Sequence, residues 1–169
     1  MGTTGTARDF TTDPLRIDIL AAESCRGAIL YGLHDLLASV GSAWSYMTEG
    51  TFSPPLTRVR IVARSKAPFR CIGGVPVLPD ADLDEATDAE IICLPNFRLG
   101  ELVSPKEVLR PEIDWLLRSH AAGARLACAC SGVAVLAHAG LLDGEEATAH
   151  CSMRETFRMR WPHVAFCPD

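Results

Sequence analysis

The stretch ARLACACSGVAVLAHAGLLDG, residues 124–144, decides the fold. Its opening, Ala124 to Ala129, is a short apolar run that reads as a buried strand. From Ser131 to Gly140 the residues are apolar nearly all round, the pattern of a helix buried against a sheet. No loop separates the two, so the chain must turn a tight corner, and Cys130 stands at it. The small neighbours Ala129, Ser131 and Gly132 suit such a crowded turn. In an open parallel α/β sheet, ligands collect outside the carboxyl ends of the strands, and that is where this corner aims Cys130. The backbone N–H groups and dipole of the following helix favour a thiolate there, so the expectation is a nucleophile or an oxidation-sensitive thiol. The competing expectation is a cysteine packed as a small hydrophobe, which is how Cys128, Cys25, Cys71, Cys93 and Cys167 are read.

Outward from this corner, strand-like and helix-like segments alternate. RIDILAA (16–22) predicts a strand, and GAILYGLHDLLASVG (27–41) predicts a helix with apolar positions Ile29, Leu33, Leu36, Leu37 and Val40. SAWSYMTEGTFSPPL (42–56) has turn residues and no clear period, so it is read as a connection. TRVRIVA (57–63) alternates like a strand, the region 68–86 predicts short strands about the Gly73-Gly74 turn, and AEIICLP (89–95) is a buried-strand run. Ser104, Pro105 and Glu107 form a helix-start signal, Pro111 restarts or kinks the helix, and Ile113, Leu116, Leu117 and Ala121 recur at helical spacing before Gly123. SMRETFRMRW (152–161) reads as a short helix and HVAFCP (163–168) as a last strand. Alternation of this kind implies a parallel sheet with helices on both faces.

The chain has 169 residues, 48% of them hydrophobic and 22% charged, which suits a single core. A net charge of −5 with scattered arginines argues against phosphate neutralisation as the main task, so no direct nucleic-acid binding is expected of this chain. Seven cysteines, an odd count spread without a framework, suit a reducing cytoplasm. Residues 1–15 are polar without an apolar core of a signal peptide and are read as a disordered leader, with one domain over 16–169. No apolar run is long enough to span a membrane.

The segment ACSGVAVLAHAGLLDGEEATAH (129–150) resembles the nucleophile-elbow region of the ThiJ/PfpI superfamily, the class I glutamine-amidotransferase-like fold. Within it, LAHAGLLDGEEATAH (136–150) is most similar to the N-terminal domain of AraC-type transcriptional regulators and to isonitrile hydratases. The segment 16–41 and AEIICLP support the resemblance. It implies a flavodoxin-like three-layer α/β sandwich with a mostly parallel sheet, lacking the family's C-terminal strand and helix. An edge left open by that shortening would favour a homodimer.

Residue by residue, the resemblance makes Cys130 the nucleophile, His150 a histidine that modulates its protonation, and Ser131 the donor of a backbone N–H to an oxyanion. Ile29 stands where relatives carry an acid that bonds the cysteine, and Glu23 is the candidate substitute. Asn96 and Phe97 follow Pro95 where relatives often show Gly-Gly, so they are expected at the pocket. Ser131 also replaces the histidine of PfpI-type peptidases, which removes the base of a Cys-His peptidase.

Two function classes follow. One is a small-molecule-sensing domain of a transcriptional regulator with eroded catalysis; the other is a cysteine-dependent hydratase or hydrolase of the isonitrile hydratase type. A metal site from Cys128, Cys130, His150 and Cys151 is disfavoured because strand residues two apart do not easily form a tetrahedral cage, so no metal and no cofactor are expected. CIGGVP (71–76) lacks the glycine spacing and following helix of a phosphate loop.

Overall fold

The computed structural model describes residues 8–98, 109–149 and 153–167. Five parallel strands form the central sheet: β1 (Leu15–Leu20), β2 (Thr57–Ala63), β5 (Ala81–Asp82), β6 (Ile91–Leu94) and β7 (Arg125–Cys128), in the order β5-β2-β1-β6-β7. β3 (Phe69–Arg70) and β4 (Pro76–Val77) form a separate antiparallel hairpin. The described helices are α1 (Gly27–Ala38), α2 (Ser42–Glu49), α3 (Arg110–Ala121), α4 (Gly132–His138) and α5 (Arg154–Arg160). β8 (Glu146–Ala147) and β9 (Ala165–Phe166) pair only with each other, so the expected last strand lies outside the main sheet.

All four residues from Ile17 to Leu20 are buried, although alternate side chains of a strand point to opposite faces. Both faces of the sheet are therefore covered, as the mostly parallel α/β sandwich requires. Trp115 of α3, 2% exposed, fills the core while its indole N–H donates to Ala86 C=O at 2.7 Å. A buried tryptophan needs such a partner.

Helix α1 sits in a different phase from the one its sequence suggests. Leu30 is its fully buried anchor and Leu33 and Leu37 pack against the core, whereas Ile29, Leu36 and Val40 are exposed. With apolar residues on more than one side, the periodicity of this segment does not single out the buried face. The segment 42–56, read as a connection, opens with α2, none of whose residues is buried. Pro111 lies in the first turn of α3 and begins that helix. Residues 104–107 lie outside the described residues. Cys128, read as packing deep in the sheet, is exposed, because β7 is the edge strand.

A charged network ties β1 and β2 to the segment that leads into β6. Arg60 grips fully buried Asp18 through two hydrogen bonds of 2.8 and 2.9 Å and also reaches Asp88 at 2.7 Å. Glu90 takes Arg16 at 3.2 Å and is also paired with Arg8, whose second amino group donates to Pro14 C=O at 3.0 Å. The Arg8 hydrogen bond is the main cause that holds the Glu90 carboxyl down at about 2, below its ordinary 4.5. A depressed carboxyl contributes stability that is complete above the unfolded value and lost as pH falls toward the folded one. Glu90→Gln is thus expected to cost about 1–2 kcal/mol at pH 7 and almost nothing near pH 2, as read by urea unfolding across that range. An equal deficit at both ends would show that the Glu90 charge is not what these arginines hold.

Candidate functional site

The chain leaves β1 for β2 and β5 on one side, then returns to place β6 on the other side of β1. The order therefore reverses between β1 and β6, and a crevice opens at the carboxyl ends of those strands. Three turns meet there: residues 21–26 after β1, 95–98 after β6 and 129–131 after β7.

The last of these is the corner anticipated from the sequence. Ala129 N–H donates to Leu94 C=O at 2.9 Å and so prolongs the β6–β7 ladder by one residue. The chain then swings through Cys130 at φ 52°, the one non-glycine residue with a positive φ among the described residues. A left-handed conformation costs an L-residue roughly 1–2 kcal/mol, so surrounding contacts must hold it. Ser131 supplies them: 3% exposed, its hydroxyl accepts the Phe97 N–H at 2.9 Å and donates to the Phe97 C=O at 2.7 Å. Phe97 in turn bridges to Cys25, and Arg98 N–H donates to Ser24 C=O at 2.8 Å. Gly132 lies so close to β6 that a Cβ added to it would stand 2.7 Å from Pro95 O and 2.9 Å from Leu94 O. The outcome is a strained cysteine whose side chain is exposed at the crevice edge.

The other expected site residues fall in different places. Phe97 belongs to the core, 2% exposed, is absent from the lining of the cavity at the turn that follows β1, and its N–H is taken by Ser131, so that N–H is not free for an oxyanion. The Ser131 hydroxyl is committed to Phe97, while its own N–H finds no acceptor among the described residues. Asn96 Oδ1 is buried without a hydrogen-bond partner among the described residues. Ile29 is 37% exposed on α1 and supplies no acid. Glu23 is exposed, and no hydrogen bond joins it to Cys130 among the described residues. His150 lies outside the described residues, as does Cys151. Cys128 is open at the surface, yet partial desolvation raises its thiol above the ordinary value, which keeps it protonated and a weaker nucleophile.

Sequence reasoning missed a cavity at the turn that follows β1. A half-open cleft of about 430 Å³ lies between the carboxyl ends of β1 and β2, the β3 approach and α3, with Glu23, Ser24, Arg64, Phe69 and Glu112 in its wall. Cys130 is not among its lining residues. Arg64 donates to the buried Glu112 carboxylate through Nε at 3.0 Å and Nη2 at 2.8 Å. That hydrogen bond, with a smaller contribution from Glu23, raises the Arg64 pKa further above its ordinary value and keeps its charge on the cavity wall. The signal available in the sequence was an arginine directly after an apolar strand, at the end where ligands gather.

The sequence model of the DJ-1/PfpI family matches residues 43–163. The chain belongs to the DJ-1/PfpI family. The transcriptional regulator GbdR of Pseudomonas aeruginosa is 32% identical over 94 residues, which are 54% of this chain and 24% of that protein. Isonitrile hydratase of Pseudomonas putida is 29% identical over 137 residues, 80% of this chain and 52% of the enzyme. The chain thus spans from about a quarter to about half the length of these relatives. Drosophila melanogaster DJ-1beta superposes with a TM-score of 0.71 at 19% identity, over 92% of this chain and 75% of that one. An AraC family transcriptional regulator from Pseudomonas putida gives 0.64 at 17% identity, over 92% and 77% of the respective chains. Both share the fold of this DJ-1/PfpI domain. Among the described residues no helix is long and apolar enough to cross a membrane.

Proposed function

We propose that this DJ-1/PfpI domain senses a small molecule at the carboxyl ends of its sheet, in the manner of a regulator's ligand-binding domain, with Cys130 at the edge of the site. The observation that carries the reading is the left-handed, exposed Cys130 held over the crevice while the first helix offers Ile29 and no carboxylate to assist it. Strain of this kind persists where neighbours over-determine it, and it gathers at functional sites. The cavity at the turn after β1 is of the size small ligands occupy, roughly 300–1,000 Å³. Glu23, Ser131 and Asn96 remain the candidates for handling or stabilising charge near the thiol, with His150 as the candidate base.

The similarity to isonitrile hydratase over 80% of this chain favours one second reading, a cysteine-dependent hydratase or hydrolase. In that reading the Cys130 sulfur attacks an electrophilic carbon, and water releases the product. The exposed β7 edge and the unburied α2 face with Trp44 and Met47 open, together with exposed Phe52 stacked on Tyr46, support a homodimer. Free cysteines suit a reducing cytoplasm.

The deciding experiment screens small molecules by thermal shift and by turnover, including an isonitrile, with the parent and Cys130→Ala side by side. A sensor yields ligands that raise the melting midpoint, shield Cys130 from iodoacetamide and are not consumed. An enzyme consumes substrate, and Cys130→Ala lowers the rate on the order of a thousandfold. Ligands that bind without shielding Cys130, and no turnover, would remove the cysteine from both readings.

A further inference from the structure

Cys25 opens the turn between β1 and α1, and Cys71 lies between β3 and the Gly73-Gly74 turn. The two belong to neighbouring segments. Ile72 N–H donates to Cys25 C=O at 3.0 Å, and Arg26 pairs with Ile72 in parallel. One register step back from that pair, residues 25 and 71 face each other. Paired segments run about 4.8 Å apart, within the separation of about 4.4–6.8 Å between Cα atoms that a disulfide spans. The Cys71 sulfur lies 3.2 Å from the position a Gly27 Cβ would take, two residues along the chain from Cys25. Both thiols are free and nearly sealed, Cys25 at 0% and Cys71 at 4% exposure.

We propose that Cys25 and Cys71 form a dithiol site that a hydroperoxide closes to a disulfide, stapling the β3–β4 hairpin to the turn that carries α1. Access comes through the hairpin. Its strands are two residues each and pair only with each other, and it is tied to the body chiefly by buried Val77 and by the Tyr31 hydroxyl donating to Pro76 C=O at 2.8 Å, so opening it breaks fewer contacts than opening the central sheet. Opening exposes Cys71, whose sulfur attacks one peroxide oxygen, giving a sulfenic acid and releasing water (or an alcohol from an organic hydroperoxide). On reclosure the Cys25 thiol displaces the sulfenic oxygen as a second water, and the sulfur–sulfur bond forms. Two thiols are oxidised and one hydroperoxide is reduced.

The order of events has a physical basis. Burial, with Cys71 as a lesser neighbour, pushes the Cys25 thiol up to about 11, which disfavours Cys25 as the first attacker. The staple has a route to the elbow, because Cys25 also bridges to Phe97, whose backbone is held by Ser131 beside Cys130. The proposal is independent of whether Cys130 senses or catalyses.

The test uses the whole chain. Accessible thiols are capped briefly with a maleimide under native conditions, hydrogen peroxide is added, and the product is alkylated in denaturant and digested for mass spectrometry. The expected result is a cross-linked peptide pair containing Cys25 and Cys71, reversed by dithiothreitol, with the melting midpoint raised by about 5 °C or more over the reduced protein. Cys71→Ser, given the same treatment, should leave Cys25 free and show no rise. Recovery of both cysteines as free thiols from the parent, Cys71 over-oxidised without a cross-link, or either one joined to a different cysteine overturns the proposal.

Discussion

Gly132→Ala is expected to lower stability by about 2 kcal/mol and to alter the reactivity of Cys130 in the same variant. The added methyl would meet Pro95 O at 2.7 Å and Leu94 O at 2.9 Å. Both are backbone atoms at the end of β6, so neither can swing aside as a flexible side chain would. Alanine's better helix propensity offsets at most about 1 kcal/mol of this, and less at the first helical position. Relief requires α4 to move away from β6, which pulls Ser131 from Phe97 and relaxes the contacts that keep Cys130 left-handed. Urea unfolding and the rate of iodoacetamide labelling at Cys130 report the two effects. An alanine variant as stable as the parent, with unchanged labelling, would mean that the elbow is not held by this close approach.

The second large effect belongs to the charged network of β1 and β2. Arg60→Leu is expected to cost about 3 kcal/mol at pH 7, because it strands the fully buried Asp18 carboxylate without its partner. Burial already raises the Asp18 pKa even with Arg60 in place, and Arg60 works against that rise. Without the arginine the folded value climbs further. A carboxyl whose folded value lies above its unfolded one is most costly in its charged form, so the deficit is largest above the folded value and shrinks as pH falls through it. Urea unfolding of the variant at pH 7 and pH 5 measures this. Asp18→Leu combined with Arg60→Leu should recover much of the loss, since the pair can be replaced by packing. A deficit independent of pH would place the cost in lost side-chain packing of Arg60.

The four long strands of the sheet were legible because each is an apolar or alternating run closed by turn residues. The elbow was legible for a related reason: a strand run abutting a helix run leaves one residue to turn the corner. Helix phase was less so. Ile29 and Leu30 are adjacent and equally apolar, and only the packing of α1 on the sheet buries the second. Phe97 was expected at the pocket, because nothing local announces that Ser131, distant in sequence, will take both its backbone groups. The Arg64–Glu112 pair in the cavity wall was invisible for the same reason, its partners lying just after β2 and on α3.

The amino-acid order alone settles the alternation of strand and helix, the parallel α/β class and the place of Cys130 at a tight turn, since these follow from local spacing of apolar residues and from small side chains at the corner. The tertiary structure decides what surrounds that thiol. It puts Phe97 in the core, leaves Glu23 unbonded to Cys130 and opens the cavity at the ends of β1 and β2. Contacts between residues tens of positions apart depend on strand order and register, which no local pattern encodes.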